Sequence, residues 1–210
     1  MCDARGGVVV SGFGAGLPHI PFFQVESHPL QREQRLAHDA VYIYSMERVP
    51  EPPDGDERSI LIGWLAFHRN ALDAKCAGLD AARLVFRSAP PSPLSLLGLV
   101  RHLTEMERAY AVWALGPKAD LQWVWGEYSD GGPEWDIDVG ASMLEESMRA
   151  WVREKQVADE RIQRHAMLDS IGAGNGYSLR WNLQKLIGEY ARHNGHADLI
   201  RERIDGQTGE

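Results

Sequence analysis

Residues 178–206 read SLRWNLQKLIGEYARHNGHADLIRERIDG. Leu179, Leu183, Leu186, Tyr190, His193, Ala197, Ile200 and Ile204 recur at intervals of three, four or seven, the period that lines one face of an α-helix. Ser178 suits the N-cap and Gly206 the exit, so a helix is expected to run to about Asp205. Its inner stripe is not purely apolar. Glu189, His193 and His196 stand at i, i+4 and i+7, between Leu186 and Ile200. A carboxylate and imidazoles turned toward a core are costly unless charge and lone pairs are compensated. A divalent cation compensates both.

Three further stretches carry the same period. A first helix is expected from Asp56 to Gly78, with Leu61, Leu65, His68, Leu72, Cys76 and Leu79 facing inward. A second is expected to start on Ser92 as N-cap with Pro93 at the first helical position. Its stripe is Leu99, His102, Met106, Ala109 and Trp113, and Gly116-Pro117 ends it. The third runs from Ala141 to Met167, with Leu144, Met148, Trp151, Lys155, Ala158 and Ile162 on one side. No stretch reads as a strand. Four amphipathic helices predict an all-α four-helix bundle over residues 56–210. The connection from Lys118 to Gly140 holds Trp123, Trp125, Tyr128 and Trp135. It is long for a compact domain, so it is expected to depart from simple up-down connectivity and is a candidate lid.

Residues 1–50 read differently. Met1 to Leu17 is glycine-rich, and Pro18 to Pro29 mixes proline, histidine and aromatics. Val8-Val9-Val10 before Gly12, Gly14 and Gly16 superficially suggests a dinucleotide loop. That motif requires a helix opening on the glycines, and Pro18 and Pro21 stand there instead. This segment is expected to be a flexible extension outside the core, with Met46 as the natural start.

The formal net charge of −8, without a block of Lys and Arg, argues against a nucleic-acid partner. No apolar run approaches 18 residues, so no membrane span is expected. The first residues do not form a secretory signal. Cys2 and Cys76 are the only cysteines, which fits a reduced cytoplasmic protein.

A catalytic zinc typically takes three protein ligands and keeps one position open. Glu189 and His193, one turn apart, supply two. His102, mid-helix on an apolar stripe between Leu99 and Met106, is the candidate third. His196 has three readings: a fourth ligand, a proton carrier or a hydrogen-bond partner in the pocket. His68 reads as a core residue or a support behind the ligands. Glu105, one turn after His102, could orient an imidazole, but a solvated helix-face carboxylate is the expectation. Cys76 reads as an inert buried thiol.

Three motifs in order carry a resemblance: Pro91-Ser92-Pro93-Leu94-Ser95-Leu96-Leu97-Gly98-Leu99-Val100-Arg101-His102-Leu103, then Ser178-Leu179-Arg180-Trp181, then Glu189-Tyr190-Ala191-Arg192-His193-Asn194-Gly195-His196-Ala197-Asp198. Over residues 57–210 the chain resembles the DinB-like (YfiT-like) metal-dependent superfamily, in the branch near the mycothiol-dependent maleylpyruvate isomerases. The resemblance implies a four-helix bundle holding a divalent metal, zinc or nickel. Its ligands come from a histidine in the middle of the second helix and a pair four apart on the last. Carried over by motif, these are His102, Glu189 and His193. Relatives use the metal to activate a low-molecular-weight thiol such as mycothiol or bacillithiol. Two departures stand out: Lys185 where related sequences often have histidine, and Gly188 where many have an acidic residue.

The expected function is a metal-dependent thiol transferase or isomerase acting on a small electrophile, with His196 moving protons and Arg180 or Arg192 holding a carboxylate. The alternatives are a metal-assisted hydrolase, a non-catalytic protein that binds a metal or small molecule, and a metal-free structural dimer. The expected partners are the thiol and the electrophile, with a homodimer as an option.

Overall fold

A computed structural model describes residues 48–126 and 138–208. The readings for residues 1–47, including the glycine motif and the Met46 start, lie outside the described residues, as do Tyr128 and Trp135 of the candidate lid. The helices are α1 (Glu57–Cys76), α2 (Ala81–Leu84), α3 (Leu96–Glu107), α4 (Leu144–Arg164) and α5 (Leu179–Asp205). A π-helical segment, Arg108–Trp113, continues α3, and a 3-10 turn, Ala141–Met143, precedes α4. Among the described residues there is no strand, only one antiparallel bridge between Ile171 and Ser178. The short α2 carries no periodic signal and was not expected.

Local chemistry sets most helix ends. The side chains of Asp56, Asp80, Ser95 and Ser178 each accept the backbone N–H three residues on, which satisfies a donor that the helix itself leaves open. Gly206 closes α5 in the left-handed region at φ 80°, where a Cβ would be strained. The second of the expected helices begins at Leu96 rather than Pro93. Ser92 and Ser95 could both cap, but Ser95 directly precedes Leu96 and Leu97, both wholly buried, and their burial decides the start. The third ends at Arg164, short of Met167. There the Arg58 guanidinium donates to the carbonyls of Ile162 and His165, both at 2.8 Å, and caps the last turn.

Pairwise contacts fix the directions. Along α1 and α5, Glu57 meets Arg180, His68 meets Asn194 and Lys75 meets Asp198, so these two run parallel. Along α3 and α4, Arg101 meets Ser147 and Arg108 meets Glu154, again parallel. Arg69 with Asp159 and Asp73 with Lys155 make α1 and α4 antiparallel. His102 with His193 and Tyr110 with Trp181 do the same for α3 and α5. The four long helices therefore run up, down, down, up. Two parallel neighbours in sequence require the chain to return the length of the first, about 27 Å at about 1.5 Å per residue. The long connection meets that need, and the expected departure from up-down connectivity follows.

The core is aliphatic around a polar centre. Leu65, Leu72, Leu99, Leu103, Leu183 and Leu186 are buried, and so are Arg69, Glu107, Trp151 and Tyr190. Arg69 donates to both oxygens of Glu107 at 2.7 and 2.6 Å and to Asp159 at 2.7 Å. Tyr190 Oη donates to Glu107 Oε1 at 2.8 Å and accepts from Trp151 Nε1 at 2.8 Å. Each of the four long helices contributes a member, so the polar centre ties the bundle together. The stripe expected for the second helix was too narrow. Arg101, Thr104, Glu105 and Glu107 are also buried, because α3 touches α1, α4 and α5.

Candidate metal centre

α3 and α5 run antiparallel, which sets the middle of one against the middle of the other. His102 from α3 meets Glu189 and His193 from α5, and one potential ligand atom from each lies within 4.8 Å of the others. Glu189 Oε2 is 3.9 Å from His102 Nε2 and 3.7 Å from His193 Nε2. Ligands about 2.05 Å from a tetrahedral ion stand about 3.3 Å apart, so the two separations from Glu189 exceed that spacing by only about half an ångström. Two imidazoles and a carboxylate on two facing helices match the donor chemistry of a divalent cation. Glu189 is buried and the two histidine side chains are only 16% and 13% exposed, so the group is sheltered yet reachable.

Charge around the group is arranged by α5 itself. Lys185 Nζ donates to Glu189 Oε1 at 2.6 Å, and Arg192 Nη1 lies 3.4 Å from Oε2. Burial works to raise the Glu189 pKa. The Lys185 hydrogen bond and charge, with Arg192 and His102, outweigh it and hold the carboxyl below its ordinary value. Burial, then the neighbouring His102 and His196, push His193 down to about 4. His193 is thus neutral at physiological pH, the form that offers a lone pair to a metal.

His196 Nδ1 stands 3.2 Å from His193 Nδ1, on the side of the ring away from Glu189. Arg192 borders the group. Arg180 does not: it pairs with Glu57 at 2.7 and 3.1 Å, about 13 Å of helix axis from Glu189. His68 lies outside the cluster and receives Asn194, whose amide donates to the His68 carbonyl at 3.0 Å. Cys76 is fully buried, and burial, with Asp73 adding to it, pushes its thiol up to about 12.

Glu105 corrects the solvated reading. It is wholly buried, and its two oxygens accept the N–H groups of Val124 (2.9 Å) and Trp125 (2.8 Å). Arg101 sits over the Trp125 ring at 3.8 Å. Glu105 therefore anchors the start of the long connection on α3 rather than orienting His102. The sequence pattern also left an aromatic ledge near Lys185 unnoticed. Tyr177 stacks on Trp181 at 4.1 Å, Trp181 meets Tyr110 at 6.1 Å, and Lys185 Nζ is 5.5 Å from the Tyr110 ring centre. Tyr110 comes from the π-helical segment, a local widening that recurs at functional sites. Trp181, Lys185, Glu189 and His193, spaced four apart, are the signal that could have found it.

A family model described as mycothiol-S-transferase matches residues 60–206, from within α1 to the cap of α5. The chain belongs to that family. The match spans all four long helices and includes His102, Glu189 and His193. It agrees with the superfamily that the three motifs resemble. No curated protein and no solved structure matches the chain. Among the described residues, no helix is long and apolar enough to cross a membrane.

Proposed function

We propose that this chain is a divalent-metal-dependent transferase of the cytoplasm that joins the sulfur of mycothiol to a small electrophile. The observation that carries the reading is the convergence of His102, Glu189 and His193, in a member of this family, on a point one ion could share. Zinc is the metal this donor set suits first, and nickel is second. A bound divalent ion supplies Lewis acidity, which lowers the pKa of a thiol and keeps a thiolate available at neutral pH.

The protein's own groups do the rest. His102, Glu189 and His193 hold the centre on two rigid helices. His193 Nδ1 and His196 Nδ1 stand 3.2 Å apart, and we assign the shared proton to His193 Nδ1, which leaves His193 Nε2 on the ligand side. In this assignment His196 fixes the ring and its tautomer rather than serving as a free base. Arg192 offers its guanidinium to an anionic group of thiol or electrophile, and Arg180 remains tied to Glu57. The exposed rings of Tyr177 and Trp181 give the electrophile an apolar surface. The reaction forms one carbon–sulfur bond. It breaks the bond to the leaving group, which departs with its electron pair, and the thiol proton passes to solvent.

The test incubates metal-loaded protein with mycothiol and an aryl halide, measuring thioether and halide together. Equal amounts of both, dependent on mycothiol and lost in His102→Ala, are expected. Halide release without mycothiol would support the hydrolase reading instead.

A further inference from the structure

The two oxygens of Glu189 have different neighbours. Oε2 faces both imidazoles, at 3.9 and 3.7 Å. Oε1 accepts Lys185 Nζ at 2.6 Å. The Lys185 side chain is 36% exposed, and its Nζ also borders the Tyr110 ring. Arg192 is the other cation near this carboxylate. It lies 3.4 Å from Oε2, not Oε1, and its side chain is 60% exposed. Among the described residues, Lys185 is the side chain that hydrogen-bonds Oε1.

A carboxylate can hold a cation through one oxygen or through both. We infer that Lys185 is a positioning residue that makes Glu189 a one-oxygen ligand, and so keeps the centre at three protein donor atoms with a position open. The inference rests on the reading of His102, Glu189 and His193 as a metal centre. With an ammonium on Oε1, swinging that oxygen toward an ion would strip a charge-assisted hydrogen bond from a buried carboxylate. Glu189 is only 7% exposed, so little water is at hand to replace the lost partner. Without Lys185, Oε1 is free to join, which adds a fourth protein donor atom and takes an ion that also holds a water or thiol from four donors to five. A salt bridge of purely structural use would contribute to helix stability and leave coordination unchanged.

The experiment loads the full chain with Co²⁺, whose visible bands are much stronger in four-coordinate than in five- or six-coordinate sites. The parent, Lys185→Met and Lys185→Arg are compared, with cobalt content measured in each. The expected result is a strong spectrum in the parent, a severalfold weaker one per cobalt in Lys185→Met, and recovery in Lys185→Arg. Identical spectra in the parent and Lys185→Met would overturn the role of Lys185 while leaving the metal centre standing. A weakened spectrum in Lys185→Arg equal to that of Lys185→Met would overturn it too. A parent that takes up no cobalt would remove the metal reading and this inference together.

Discussion

Arg69 on α1 grips Glu107 on α3 through two parallel hydrogen bonds of 2.7 and 2.6 Å, at a point where Glu107 is wholly buried. Such a pair is weak evidence for stability against an apolar core, yet breaking it leaves a buried charge uncompensated, at about 3–5 kcal/mol. Arg69→Met is therefore expected to destabilise the protein by about that amount in denaturant unfolding. Adding Glu107→Leu should recover part of the loss. A single variant within about 1 kcal/mol of the parent would mean the centre is less dry than the structure has it.

Gly172 packs against the end of the π-helical segment. A Cβ there would stand 2.3 Å from the Ala114 carbonyl oxygen and 3.0 Å from its carbon, and backbone cannot step aside as a flexible side chain does. Gly172→Ala is expected to cost about 1–3 kcal/mol. Gly188 is the contrast: it is helical and exposed, and a Cβ there meets nothing within 4 Å. Gly188→Ala should raise stability by about 1 kcal/mol through helix propensity. Melting temperatures of the two variants should move in opposite directions, and a shared direction would contradict the packing.

Cys76 is expected to resist alkylation at pH 8. Its thiol, pushed up to about 12, stays protonated and has no path to solvent. The sign for stability follows from the raised value. Between about 9 and about 12 the unfolded chain gives up a thiol proton that the folded chain keeps, so this group destabilises the fold as pH rises through that window. Peptide mapping after iodoacetamide treatment checks reactivity. Modification of the Cys76 peptide at the same rate in native and denatured protein would refute the burial.

Much of the bundle was legible because its signals are local. Asp56, Ser178 and Gly206 each act within one turn, and the stripes of α1, α4 and α5 repeat at the helical period. The grouping of His102 with Glu189 and His193 was legible too, from spacing on one helix and an inward histidine on another. What escaped depends on partners distant in sequence. Glu105 is buried only because Val124 and Trp125 return to it, and Glu107 only because Arg69 and Tyr190 reach it. Nothing within α3 marks these carboxylates as buried. The choice of Ser95 over Ser92 likewise needed the core to arbitrate between two good caps.

We propose that His102, Glu189 and His193 share one cation. Elemental analysis of the purified parent beside His102→Ala and His193→Ala tests it most directly. Near-stoichiometric divalent metal is expected in the parent and severe loss in both variants, with helical content retained. Equal metal in all three proteins would contradict it.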